Sequence, residues 1–146
     1  MFIFCILFIF MEMHISTGIK LTYVDCGSIS QVDDVINDNC KQEPCVMITG
    51  HNYTGYTKFT PRTNHAAAYL HLVVILNGTP LPLVSNGDQC SNGLHCPLRA
   101  GEETVWSLSY NIPIGLHPAR LAVKYELNDE AGKMILCLVV PVILTN

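Results

Sequence analysis

The sequence is short of charge, of tryptophan, and of any apolar run long enough to cross a bilayer. Charged residues fill 14% of 146 positions, and eight basic against twelve acidic residues give a formal net charge of −4. No basic block and no stripe of basic residues interleaved with aromatics occurs, which excludes a nucleic-acid binder. The run Met1 to Met11 is wholly apolar but falls short of the roughly 20 residues a spanning helix needs. There is no Cys-x-x-Cys pair, no His-Glu-x-x-His and no nucleophile elbow. Asp33-Asp34 and Glu102-Glu103 look like solvated surface pairs rather than an acid–base couple. His51, His65, His95 and His117 fall in loops or turns, and His71 in a strand. The residues therefore suggest neither an enzyme nor a bound metal or cofactor. Internal repeats and low-complexity linkers are also missing, so a single domain is expected.

What the chain does contain begins with a leader. Met1 to Met11 fits the apolar region of a secretory signal, and Ser16-Thr17-Gly18 offers small residues for cleavage. The alternatives are a buried first strand or a retained anchor. Taking residues 1–18 as the signal and 19–146 as the domain removes Cys5. Cys26, Cys40, Cys45, Cys90, Cys96 and Cys137 remain, an even set suited to disulfides in an oxidising compartment. Cys40 with Cys45 and Cys90 with Cys96 are each close enough to staple one loop, which leaves Cys26 with Cys137. Asn52-Tyr53-Thr54 and Asn77-Gly78-Thr79 are glycosylation sequons at Asn52 and Asn77, with Pro80 directly behind the second.

Hydrophobic residues recur mostly at period two, the signature of half-buried strands. Strands are expected over Leu21–Asp25, Ser28–Asn37, Val46–Ile48, Tyr53–Thr60, Thr104–Tyr110 and Leu121–Leu127, with a final apolar strand over Met134–Leu144. Ala66–Leu76 admits a helix through its alanines, but Val73-Val74-Ile75 followed by Asn77-Gly78 favours a strand. Seven or eight strands with frequent turns and no convincing helix give an all-β class, an antiparallel sandwich. Pro141 inside the last strand suggests an edge position or a bulge.

Several motifs in order resemble one family. They are Asp25-Cys26-Gly27-Ser28, Cys40-x4-Cys45, Gly78-x-Pro80-x-Pro82, Cys90-x5-Cys96-Pro97-Leu98 and Cys137-x3-Pro141-Val142. This set resembles the Niemann-Pick type C2 branch of the ML (lipid-recognition) superfamily, together with the group 2 mite allergens and the insect epididymal-secretory-like proteins. The resemblance implies an immunoglobulin-like sandwich, the three disulfides above, and a tunnel between the sheets that carries a sterol or other lipid without catalysis. It implies secretion, with a lysosomal destination as a variant, and a monomer that hands lipid to a membrane protein acceptor. Fatty-acid or semiochemical carriage and recognition of microbial lipid are the alternatives within the superfamily.

Carried onto this chain, Leu83 stands where the sterol carriers have an aromatic after Gly-x-Pro-x-Pro. Ile114 matches an apolar rim residue, and Leu116 or His117 occupies the place of a second gate aromatic. Tyr125 keeps the aromatic of the penultimate strand, and Tyr53 matches a pocket tyrosine. Pro80-Leu81-Pro82-Leu83 and Ile112-Pro113-Ile114 cannot join a central ladder fully and would present Leu81, Leu83, Ile112 and Ile114 at a rim. Leu72, Leu76, Val123 and Val140 are pocket lining or plain core, and Trp106 is core or wall. The Cys90–Cys96 loop is expected beside the pocket entrance.

Overall fold

The computed structural model describes residues 18–146, with the backbone alone for 83–86. The leader expected over 1–18 lies, apart from Gly18, outside the described residues. Ten strands run in chain order: β1 (Ile19–Lys20), β2 (Val24–Asp25), β3 (Gln31–Asn37), β4 (Cys45–Ile48), β5 (Asn52–Thr60), β6 (Tyr69–Leu76), β7 (Thr79–Asp88), β8 (Thr104–Asn111), β9 (Ala119–Asn128) and β10 (Met134–Thr145). One short 3-10 turn, Gln89–Ser91, follows β7. The class is all-β, as expected.

The strands form two sheets, ordered β1-β3-β5-β8 and β2-β10-β9-β6-β7, with β4 added to β10. All pairings are antiparallel except β4 on β10. Of the strand expected over Leu21–Asp25 only Val24–Asp25 forms; β1 precedes it in the opposite sheet, and the chain crosses between layers at Leu21–Tyr23. Pro141 lies at a local gap in the edge of β10 rather than in a bulge. On one side of β10 it faces Ala122 of β9. On the other, β2 pairs up to Val139 and β4 begins at Val142. Proline supplies no N–H, so it falls where neither partner strand asks for one.

Strand β7 is the element the sequence hides. Asn77 and Gly78 both take positive φ, 51° and 76°, the geometry of a two-residue hairpin turn matched to strand twist. Pro80 and Pro82 pair opposite Ile75 and Val73. Both have the same parity, so both missing donors can face the free edge of the sheet. A register shift between Leu72 and Val73 leaves Leu83 opposite no residue of β6.

The three disulfides are Cys26–Cys137, Cys40–Cys45 and Cys90–Cys96. Cys26–Cys137 bridges a sequence separation of 111 residues and ties β2 to β10. Cys40–Cys45 fixes the entry of β4, whose Cys45 lies opposite Val142. Cys90–Cys96 staples the loop that closes one end of the sandwich over Phe59, Leu70, Leu98, Trp106, Leu127 and Leu136. Trp106 Nε1–H donates to Gln89 Oε1 at 3.1 Å, and Ser107 N–H donates to the Gly93 carbonyl at 2.9 Å. At the same end, buried His65 exchanges backbone bonds with Leu98 at 3.0 and 2.8 Å. Its Nδ1 meets Asp129 Oδ2 at 3.0 Å and its Nε2 meets Thr63 Oγ1 at 3.1 Å.

Candidate functional site

The register builds the site directly. Across the larger sheet, Leu81, Val74, Val123 and Val140 stand side by side, and the next inner row is Leu72, Tyr125 and Leu138. Across the smaller sheet, Tyr53 faces Tyr110, Gly55 lies between Asn37 and Leu108, and Thr57 lies between Val35 and Trp106. Inner faces of a sandwich normally interdigitate across about 10 Å. Here Gly55 contributes no side chain and the valine row is short, so the middle and one end stay open.

The opening is a cavity of about 310 Å³ lined by Met47, Leu72, Val74, Tyr110, Ile112, Leu116, Leu121, Val123, Tyr125, Val142 and Leu144, with Asn111 and Pro113 at the β8–β9 loop. A deeper extension of about 40 Å³ shares Met47, Tyr110 and Tyr125 with it and continues past Asn37, Gly55, Leu108, Trp106 and Val140. Among the described residues, none that lines either part carries a charge. The size and the apolar walls suit a small hydrophobic ligand.

Two tyrosines line both parts, Tyr110 from the smaller sheet and Tyr125 from the larger. Asn37 on β3 lines the same space from the smaller sheet. Tyr110 also points its hydroxyl at Met47 Sδ at 3.8 Å. Burial pushes the Tyr125 phenol well above the ordinary tyrosine value, with the charge and hydroxyl of Tyr110 adding to it. Burial raises Tyr110 as well, while hydrogen bonds from Tyr125 and Asn37 work against that rise. Both stay neutral at any physiological pH.

Of the residues singled out in the sequence, the cavity brings together Leu72, Ile112, Leu116, Val123 and Tyr125, with Trp106 and Val140 on the deeper part. Tyr53 stands elsewhere. It is 3% exposed, its hydroxyl accepts from the Ile48 N–H at 2.7 Å, and its ring stacks behind Tyr110 at 6.3 Å. It supports the wall rather than lining it. Leu76 shares the inner parity of β6 but lies past the cavity. Leu81 is half exposed at the sheet edge, and Ile114 is 86% exposed with its side chain over Gly50. The side chain of Leu83 lies outside the described residues.

The Cys90–Cys96 staple is not beside the entrance. It sits at the Thr104–Ser107 end of β8, whereas the cavity opens where β8 ends and the Ile112–Leu116 loop begins. The nearer staple is Cys40–Cys45, which packs with Met47, Val123, Val142 and Leu144. Sequence reasoning missed Asn37, Met47, Gly55 and Tyr110. Tyr110 was within reach, because it shares the period-two face of Trp106 and Leu108.

The sequence model of the ML domain family matches residues 20–144. The chain belongs to the ML domain family. Among related proteins, NPC intracellular cholesterol transporter 2 of Danio rerio is 26% identical over 126 residues, covering 85% of each chain. Among solved structures, a Niemann-Pick type C2 protein from Japanese carpenter ant superposes with a TM-score of 0.78 at 22% identity, covering 85% of this chain and 99% of that one. Chicken MD-1 complexed with lipid IVa superposes at 0.51 with 14% identity, covering 83% and 96%. The ML domain and its two-sheet sandwich are thus common to the sequence and the geometry.

Proposed function

We propose that this protein is a non-catalytic lipid carrier that holds one sterol or similar apolar molecule between its sheets. The observation that carries the reading is the uncharged cavity of about 310 Å³ between β6, β9 and β10 on one side and β8 on the other. Binding there would be driven by apolar area leaving water, roughly 25 cal/mol per Å². The cholesterol-transporter relative and the lipid-bound neighbour support the same class of ligand.

Secretion is part of the proposal. It is supported by the apolar leader and by three disulfides, which persist in oxidising compartments. Asn52 and Asn77 are both exposed and are proposed as glycan acceptors. The carrier acts as a monomer and passes lipid to a membrane acceptor. Displacement of a fluorescent sterol from the delipidated protein by cholesterol tests the reading. Saturable, one-to-one displacement is expected, and a protein that takes up neither probe nor competitor overturns it.

A further inference from the structure

We infer that Thr63 is an acyl-acceptor site, an exposed hydroxyl activated by His65 and Asp129 at the closed end of the sandwich. The acyl donors it takes are small activated esters and thioesters. The site shares no residue with the cavity and acts whether or not a lipid is held.

Three side chains stand in line. Thr63 Oγ1 lies 3.1 Å from His65 Nε2, and His65 Nδ1 lies 3.0 Å from Asp129 Oδ2. Hydroxyl, imidazole and carboxylate in that order are what general-base activation of an alcohol requires. Asp129 is held for the orienting role. Its other oxygen accepts from the Ala131 and Lys133 N–H groups at 2.9 and 2.8 Å. Burial acts to raise its pKa, but those N–H bonds and the bond to His65 lower it. An ionised acceptor at Nδ1 fixes the ring proton there, so Nε2 offers its lone pair to Thr63. The histidine is fixed as well, by two backbone bonds to Leu98 at 3.0 and 2.8 Å. His65 and Asp129 are buried, and Thr63 is exposed. Only the nucleophilic end of the line therefore meets solvent.

Thr63 Oγ1 attacks the acyl carbon while its proton passes to His65 Nε2. The tetrahedral oxygen re-forms the carbonyl, the bond to the leaving oxygen or sulfur breaks, and the Nε2 proton goes to the leaving group. Thr63 is left as an ester. An exposed hydroxyl leaves the oxyanion to water rather than to fixed donors, so one slow acylation is expected and not turnover.

The test treats the folded protein with p-nitrophenyl acetate at neutral pH and maps the acetyl groups by peptide mass. Thr79, an exposed threonine at the start of β7, is the internal reference. Thr63 should acetylate on the order of a hundredfold faster than Thr79, the usual worth of a positioned base. Asp129→Asn should lower that ratio about tenfold or more, because Nδ1 loses its ionised partner. A purely structural role for Asp129 would shift the melting curve and leave the ratio alone. Thr63→Val should remove the label without moving the melting curve, and Thr63→Ser should keep it. Equal rates at Thr63 and Thr79 overturn the inference. So does an unchanged ratio in folded Asp129→Asn, or a total uptake of acetyl groups that is the same in Thr63→Val as in the wild type.

Discussion

Replacing Leu72 and Leu127 by alanine, one at a time, separates a cavity wall from a core. Both are inner-face leucines, on β6 and β9. Leu127 is 0% exposed and packs in the closed end with Phe59, Leu70 and Trp106. Its truncation leaves a void that tight neighbours cannot fill, costing about 3–4 kcal/mol. Leu72 already faces open space, so its loss enlarges an existing cavity and costs the empty protein about 1–2 kcal/mol. The ligand reverses the order. Losing the Leu72 contact removes about 40 Å² of apolar burial at roughly 25 cal/mol per Å², near 1 kcal/mol or fivefold in affinity. Urea denaturation of the delipidated proteins and sterol displacement measure the two effects. If Leu72→Ala costs as much stability as Leu127→Ala and leaves binding unchanged, Leu72 is plain core and the cavity is not the site.

Gly93→Ala should destabilise strongly, by about 3 kcal/mol or more, since φ is 92° and an added Cβ would lie 2.0 Å from the Ser107 carbonyl; a melting curve like the wild type would refute the docking of the stapled loop on β8. Replacing Cys26 and Cys137 by serine should cost about 4–5 kcal/mol in the chain-entropy model, given their separation of 111 residues, seen as a lower urea midpoint. For Asp129, burial acts to raise the carboxyl, but N–H bonds from Lys133 and Ala131 and the bond to His65 outweigh it, so its pKa is lowered. The stabilisation is then complete above the ordinary value of 3.8 and is lost as pH falls through the folded-state value. Asp129→Asn should accordingly flatten the acid limb of stability against pH, and an unchanged limb would show that this carboxylate contributes nothing there.

Much of the fold is legible because strand periodicity and cysteine spacing are local signals. Trp106, Leu108 and Tyr110 share one parity, and the two short loops staple themselves. Strand β7 is not legible, because Pro80 and Pro82 argue against a strand unless it is known to lie on an edge. That fact belongs to the whole sheet. The Asn77-Gly78 turn was the available clue. The site is half legible for a similar reason. Residues such as Val123 and Leu72 look alike whether they face a void or a packed neighbour, and only the partner sheet decides. Gly55 makes room by contributing nothing, and Asn37 matters because it lines the same space from the neighbouring strand. Neither property can be seen within its own strand. The misplacement of the Cys90–Cys96 loop has the same cause. Nearness in sequence to Leu83 said nothing about which end of the sandwich it would close.

Native mass spectrometry of the protein, secreted by cells and purified without detergent, addresses the carrier reading most directly. One lipid per chain should be retained, and its mass should identify a sterol or similar apolar lipid. A chain that flies empty, and stays empty after incubation with cholesterol, hexadecanol and palmitate, would contradict the account.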